Sequence, residues 1–169
     1  MNLVQILKRC EVFVGLSDSD LEKIASLPSW HRHNYRTGQV IFREDTDAKD
    51  FYIVEEGTVS LAVALHQEGE KKLTLVRVDT VTKGDVFGWS SLIPPHSRNM
   101  SAICVRPSTV ISVSGAELNE LMDRNHVLGY EVMKSLVRVI ARRLRDIHAK
   151  LPDKKTAAEK RKTARVATS

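Results

Sequence analysis

The chain has 169 residues, of which 42% are hydrophobic and 28% charged, a composition typical of one soluble globular domain. It has no apolar run long enough for a membrane span, and its N-terminus becomes charged at Lys8, too early for a secretory signal. The two cysteines, Cys10 and Cys104, are too few for a disulfide framework or a cysteine metal site. We therefore expect a reducing, cytoplasmic location, with no membrane contact.

The net charge of +5 lies mostly at the C-terminus. Residues 152–169 carry six cations and two acidic residues, so +4 belongs to this segment and +1 to residues 1–151. The segment has one large apolar residue, Val166, and cannot bury enough surface to offset the entropy of ordering. The sequence therefore predicts a domain over 1–151 and a disordered basic tail over 152–169. The tail either contacts an anionic partner or only keeps the protein soluble.

Two helical patterns open the chain. Leu3, Ile6 and Leu7 fit one stripe of a first helix. Ser17 begins a second helix as its N-cap, with an acid three residues later, and Pro28 ends the pattern.

Short apolar runs at strand spacing follow, most of them separated by glycine, proline or charged turns. They cover residues 40–42, 51–54, 59–65, 73–78, 102–105 and 110–113. This succession favours an antiparallel sandwich or barrel. His31 and His33 alternate on a further expected strand, but two histidines are half a zinc site and no cluster completes it, so no metal is expected.

The last third is helical again. Ser114 and Glu117 form a capping box, and after Asn125 a long amphipathic pattern runs to Leu151. We expect this helix to form a parallel homodimer because its apolar stripe has coiled-coil spacing and the helix is longer than a small barrel needs. The predicted interface comprises Met133, Leu136, Ile140, Leu144 and Ile147. The alternative is that the stripe only wraps its own barrel.

Residues 84–99, called the cassette below, contain the groups best suited to bind a ligand. Gly88 lets the backbone approach an anion, and Ser90 and Ser91 follow in a short helical turn. Ten residues after Gly88, Arg98 supplies a guanidinium fork suited to a phosphate, and Asn99 supplies a neutral hydrogen-bonding group. This pattern favours an anion site.

The order of these elements resembles the cyclic nucleotide-binding domain family, as in catabolite-activator-type regulators and the regulatory subunits of cyclic-nucleotide-dependent kinases. The similarity runs from about Phe13 to Leu151. The segments that carry it are Leu16-Ser17-Asp18, residues 38–44 (GQVIFRE), residues 51–57 (FYIVEEG), residues 84–88 (GDVFG), Leu92 and Arg98. The resemblance implies a mainly β fold, namely an antiparallel jelly-roll barrel with N-terminal helices and a long C-terminal helix.

Carried over to this chain, the resemblance implies that Gly88 and the amides of Ser90 and Ser91 face a cyclic phosphate and that Arg98 neutralises it. The implied ligand-binding set is Phe87, Gly88, Trp89, Ser90, Ser91, Arg98 and Asn99. Three positions depart from the family pattern. Trp89 replaces the glutamate that accepts the ribose 2′-hydroxyl, Asn99 replaces a serine or threonine, and Asp45 replaces a glycine. Trp89 either lines a pocket for a different ligand or fills a pocket that no longer binds one.

We therefore expect a non-enzymatic sensor or regulatory module that binds a cyclic nucleotide, such as a cyclic AMP-like molecule, or a related small anion. Gly88-Trp89-Ser90-Ser91-Leu92 approaches a nucleophile elbow but ends in leucine, and no Walker or zinc-protease motif is present. The alternatives are a ligand-free scaffold that contacts an unidentified protein partner, or a relative of transcription regulators that lacks their DNA-binding domain. Sequence-specific nucleic-acid binding is not expected. At Arg98, replacement by alanine is expected to weaken anion binding with little loss of stability.

Overall fold

The computed structural model describes residues 2–66 and 73–150. Within these ranges the chain forms four α-helices, eight strands and one short 3₁₀ helix. The helices are α1 (Leu3–Leu7), α2 (Asp18–Ala25), α3 (Gly115–Arg124) and α4 (His126–Lys150), and the 3₁₀ turn covers Trp89–Leu92. The strands are β1 (His31–Tyr35), β2 (Val40–Phe42), β3 (Asp50–Glu56), β4 (Thr58–His66), β5 (Leu73–Thr82), β6 (Val86–Phe87), β7 (Ser101–Cys104) and β8 (Ser108–Ser114).

The strands form two four-stranded sheets with antiparallel pairings, in the orders β1-β8-β3-β6 and β2-β7-β4-β5. This confirms the predicted jelly roll with helices before and after it. The segment between α1 and α2, within the predicted helical region, consists of turns. The two-residue strand β6 was not predicted, because Val86 and Phe87 are too short a run to show a period.

The apolar core has two parts that β3 separates, because successive side chains of a strand point to opposite faces. Tyr52 and Val54 face the space between the sheets, where they meet residues of both sheets such as Val59 and Val110. Residues on the other face of β3 pack against the helices; they include Phe51 and Ile53, with Leu7, Leu118 and Leu136 from α1, α3 and α4.

Two predicted N-caps are confirmed. The Ser17 hydroxyl accepts a hydrogen bond from the Asp20 N–H at 3.1 Å, and the Ser114 hydroxyl accepts one from the Glu117 N–H at 3.4 Å. The second cap departs from a complete capping box, because the Glu117 carboxylate accepts from the Ser29 N–H at 3.3 Å and the Ser29 hydroxyl accepts from the Ser114 N–H. Through these bonds the start of α3 is joined to the segment before β1.

The orientation of α4 corrects one residue of the predicted dimer interface. Leu136 is 1% exposed and lies in the chain's own core, together with Val132 and Val139. Met133 and Ile140 pack partly against the same core. The exposed apolar residues of the helix are instead Val127, Tyr130, Val137 and Leu144. The barrel sets this rotation of the helix, which spacing alone does not reveal.

The sheet β2-β7-β4-β5 has an open position beyond the end of β7. The β4–β7 pairing extends to Ala62, which lies opposite Ser101. Further along β4, the Ala64 N–H donates to the Glu44 carboxylate at 2.7 Å, and the Glu44 N–H donates to the Ser101 hydroxyl. A side chain thus replaces a neighbouring strand at this position.

The predicted basic tail, residues 152–169, lies outside the described residues, and its disorder stays a prediction. Among residues 2–66 and 73–150, none of the helices combines the length and apolarity that crossing a membrane requires.

The lack of a side chain at Gly115 allows α3 to approach the cassette closely. A Cβ at this position would lie 2.4 Å from the Ser91 carbonyl oxygen, so we expect Gly115→Ala to lower the free energy of unfolding by about 1–3 kcal/mol. Urea unfolding tests this. Gly129→Ala in α4 is the comparison: its Cβ would also meet backbone, the Met122 carbonyl oxygen at 2.9 Å, but less closely, so we expect a smaller loss. Equal effects of the two substitutions would contradict the close approach of α3.

Candidate anion-binding cassette

The cassette contains β6 and the 3₁₀ turn, and this turn lies against α3. Phe87 pairs with Tyr52 on β3, and Gly88 then adopts a left-handed conformation with φ +74° before the 3₁₀ turn. On the far side of the turn, Gly115 of α3 lies against Ser91. The cassette is therefore held between the end of one sheet and the first residue of a helix.

Arg98 is buried at 2% exposure, and its guanidinium points into the protein. Nη1 donates to the Gly88 carbonyl at 2.8 Å and Nη2 donates to the Asp50 carbonyl at 2.7 Å. Nε has no hydrogen-bond partner, and within the described ranges no carboxylate forms an ion pair with this side chain. Burial lowers the pKa of Arg98, because desolvation disfavours the charged form.

Two aromatic rings face this guanidinium, and a third ring stacks on one of them. The Arg98 Cζ atom lies 4.2 Å from the ring centre of Phe42 and 5.4 Å from that of Tyr52. Tyr52 stacks on Phe87 with ring centres 5.0 Å apart. Burial raises the pKa of Tyr52 to about 12, so the ring remains a neutral phenol near the cation. Cation–π contacts of this kind stabilise a guanidinium that has left water.

Position 88 requires glycine, because the Arg98 guanidinium lies where a side chain would be. A Cβ here would lie 2.6 Å from Nη1 of Arg98 and 2.9 Å from Cδ2 of Tyr52, and the positive φ is itself unfavourable for other residues. The Gly88 carbonyl accepts from Arg98 and from both the N–H and the hydroxyl of Ser91. Three donors therefore converge on one oxygen.

The remaining polar residues of the predicted set are engaged within the cassette. The Ser91 N–H is bonded to Gly88, so in this conformation it does not point at an external anion as the resemblance implied. Ser90 donates its hydroxyl to the Asn99 side-chain oxygen at 3.3 Å. The structure thus brings Gly88, Ser91 and Arg98 together around one carbonyl, with Ser90 and Asn99 as a separate pair near the surface.

Trp89 lies on the side of the cassette that faces the helices. Its half-buried side chain packs against the helix-facing core, and the guanidinium of Arg143 on α4 lies 5.2 Å from the ring centre. Arg143 is buried at 6% exposure and donates through Nη2 to the Glu11 carboxylate at 2.5 Å, and its Nε lies 3.6 Å from a carboxylate oxygen of Asp79. The Glu11 carboxylate also accepts from the Val86 N–H at the start of β6.

Two cavities meet at the cassette. The inner one has a volume of about 10 Å³ and is bordered by Phe42, Trp89 and Arg98 among others. The outer one is an open groove of about 350 Å³ that shares Trp89 and Arg98 and extends to Asp45 and Pro95. The donors suit an anion, but the inner cavity has room for about one water, whereas ligand pockets are typically several hundred Å³. A cyclic nucleotide does not fit inside the barrel in this conformation.

Sequence reasoning missed the inner lining of the site and its connection to α4. Phe42 and Tyr52 are on predicted strands, but nothing in their spacing shows that a buried arginine lies between them. Arg143 offers a signal, because it follows Leu136 by seven residues and Val139 by four and therefore lies on the buried stripe of the helix.

The family model for the cyclic nucleotide-binding domain matches residues 32–125. A CRP-like cAMP-activated global transcriptional regulator of Mycobacterium tuberculosis is 26% identical over 150 residues, which is 88% of this chain and 62% of that protein. The chain thus spans about 62% of the length of this curated relative.

Solved structures show the same architecture. A cyclic nucleotide-binding protein from Geobacter metallireducens is 30% identical, with a TM-score of 0.69 that covers 85% of this chain and 99% of the other. The Thermus thermophilus catabolite activator protein is 23% identical, with a TM-score of 0.64 over 83% of this chain and 61% of the other, and it supports the fold alone.

Arg98→Ala is expected to destabilise the protein, in contrast to the expectation from the sequence. The substitution removes two charge-assisted bonds and leaves the Asp50 carbonyl without this donor, so we expect a loss of about 3 kcal/mol in the free energy of unfolding. Chemical unfolding measures this. Asn99→Ala, on the exposed neighbouring residue, should change it by about 0.5 kcal/mol or less. A neutral Arg98→Ala would contradict the buried bonds.

Proposed function

The chain belongs to the cyclic nucleotide-binding domain family, and from that premise we propose that it is a non-enzymatic regulatory module whose cassette binds a small anionic ligand through Arg98. The ligand is a cyclic nucleotide or a related phosphate-bearing anion. Binding requires the cassette to open beyond the described conformation. The module acts in the cytoplasm through a protein partner, and sequence-specific DNA binding is not part of the proposal.

The observation that carries this proposal is a buried cation that has no carboxylate partner among the described residues. Arg98 is 2% exposed, and among the described residues its guanidinium bonds carbonyl oxygens but no carboxylate. Burying a charge is costly unless an opposite charge or a full set of hydrogen bonds compensates it, and here Nε has neither. A bound anion would supply the missing negative charge, so the arrangement favours a ligand of that kind.

Opening the cassette exchanges one set of partners for another. Arg98 would leave the carbonyls of Gly88 and Asp50 and its contact with Phe42, and it would gain a charge-assisted bond to the ligand. Ser91 still donates twice to the Gly88 carbonyl, so that oxygen keeps partners when Arg98 moves. The Gly88 carbonyl is therefore not left bare by the change.

We expect ordinary cyclic AMP to bind weakly, because Trp89 offers no acceptor for the 2′-hydroxyl. Trp89→Glu should raise the affinity for cyclic AMP at least about tenfold, and adding Arg98→Ala to that variant should lower it by roughly ten- to a hundredfold. Calorimetric titration measures both, at a temperature where circular dichroism shows each variant folded.

Arg106→Ala is the matched control for the cyclic AMP titration, because Arg106 is an exposed arginine outside the cassette. It should leave the affinity of the Trp89→Glu protein unchanged. Tight binding of cyclic AMP by the wild type that does not depend on Arg98 would contradict the proposed mechanism.

A second candidate function is a ligand-free scaffold for protein contacts. The inner cavity of about 10 Å³ favours it, since such a space accommodates no nucleotide without rearrangement. Thermal unfolding against a panel of cyclic mono- and dinucleotides separates the two, because a ligand that binds the native state raises the melting temperature. No shift with any member of the panel would favour the scaffold.

We also propose a parallel homodimer through α4. Its interface differs from the one predicted from the sequence, because Leu136 is buried in the chain's own core. Exposed Tyr130, Val137 and Leu144 recur every seven residues, and the partly buried Met133, Ile140 and Ile147 follow each of them by three. These are the a and d positions of a heptad repeat, as in a two-stranded coiled coil. Leu136 and Arg143 lie on a separate stripe that faces the barrel. A second copy of the helix would cover the stripe that the barrel leaves open.

Val137→Lys combined with Leu144→Lys should convert the dimer to a monomer without unfolding it, because both side chains are exposed in the single chain. Sedimentation equilibrium at micromolar concentration measures this, and Arg138→Ala, on the exposed side of the helix, is the control. Leu136→Ala should instead lower the free energy of unfolding by about 2–5 kcal/mol, as expected for a core leucine. A monomeric wild type would contradict the dimer.

A further inference from the structure

Two buried donors near Trp89 lack partners. Among the described residues, the buried side-chain nitrogens and oxygens without a hydrogen bond are Nε of Arg98 and Nη1 of Arg143. Arg98 borders the same inner cavity and the same outer groove as Trp89, and the Arg143 guanidinium lies over the Trp89 ring. Both unsatisfied donors are therefore on arginines next to one residue, whose indole has no oxygen to accept from them.

The two arginines come from different parts of the fold. Arg98 belongs to the cassette, whereas Arg143 is on α4 and is more than nine-tenths buried. Leaving such a donor unsatisfied is costly, and buried polar groups in native proteins nearly always have a hydrogen-bond partner. Because the structure has two such donors at Trp89, a ligand that accepts from both explains them together.

The charge around Arg143 leaves one donor free. Its Nη2 is bonded to Glu11 and its Nε faces Asp79, so its positive charge is largely balanced within the protein. Nη1 is the part of its fork that is still available. Arg98, in contrast, has no carboxylate partner among the described residues, so the net positive charge of the site comes from Arg98.

We propose that Trp89 is a removable plug over an anion site shared by Arg98 of the cassette and Arg143 of α4. The ligand is an oxyanion of the phosphate type, which accepts from both guanidinium groups when the indole moves away. This inference rests on the proposed function, because it assumes that the cassette takes an anion. It adds a ligand-contacting residue on α4, far along the chain from the cassette.

The arrangement connects ligand binding to α4. While Trp89 is in place, its ring packs against the helix-facing core and lies under Arg143. When the plug moves, the bound anion takes over the contact with Arg143. The helix is then held by the ligand and by Glu11 instead of by the indole.

Removing the plug should expose the site to the simplest probe, inorganic phosphate. We expect phosphate to raise the melting temperature of the Trp89→Ala protein in a saturable way and to leave that of the wild type unchanged when ionic strength is matched with chloride. Saturation of the rise gives an apparent affinity for phosphate.

Arginine variants of the Trp89→Ala protein test whether the site is shared. Arg143→Gln should weaken the phosphate affinity about tenfold, and Arg98→Gln should weaken it at least as much. The matched control is Arg142→Gln, which removes the same charge from the adjacent residue and also breaks a bond to Glu11, but Arg142 is exposed. The control should retain the phosphate affinity.

If Arg143→Gln does not fold, Arg143→Lys keeps the charge beside Glu11 and Asp79 and lacks the free Nη1 donor.

The outcomes separate this inference from the proposed function. A phosphate response that needs Arg98 but is the same for Arg143→Gln and Arg142→Gln would overturn the shared site while supporting an anion at Arg98. No response of the Trp89→Ala protein to phosphate would overturn the plug, and the nucleotide titrations of the wild type would still test the proposed function by themselves.

Discussion

The conformation of the cassette depends on one buried guanidinium. Arg98 links Gly88, the residue after β6, to Asp50 at the start of β3, because its two terminal nitrogens donate to the carbonyls of these residues. Its plane is covered by Phe42 and Tyr52, which also close the space between the sheets. The same side chain is the cation that the proposed function assigns to the ligand, so structural support and ligand binding would compete for one group.

Under the proposed function, the site would have two alternative sets of interactions. In the described conformation, carbonyl dipoles and aromatic faces compensate the charge of Arg98 only in part, and Nε remains unsatisfied. Under the proposed function, a bound anion would supply the missing partner. Trp89 adds to the packing of this conformation, because its side chain lies against the helix-facing core.

Much of the fold is predictable from local patterns, and the errors arise where distant segments meet. The strand runs and the caps at Ser17 and Ser114 depend on neighbours within a few residues, so the sequence reveals them. The inward direction of Arg98 depends on Phe42 and Asp50, about fifty residues away along the chain. The rotation of α4, which buries Leu136 and exposes Val137, depends on where the barrel lies. Periodicity shows a stripe on the helix but not which partner covers it.

The Glu44 carboxylate at the open end of β4 has a consequence for self-association. A strand whose backbone N–H groups are unpaired can add a strand from another molecule, and exposed apolar side chains such as Leu65 would favour that addition. Glu44 already occupies the Ala64 N–H and places a negative charge where an incoming backbone would have to pair. The sheet is therefore closed to extension at this point, which protects the barrel against edge-to-edge aggregation.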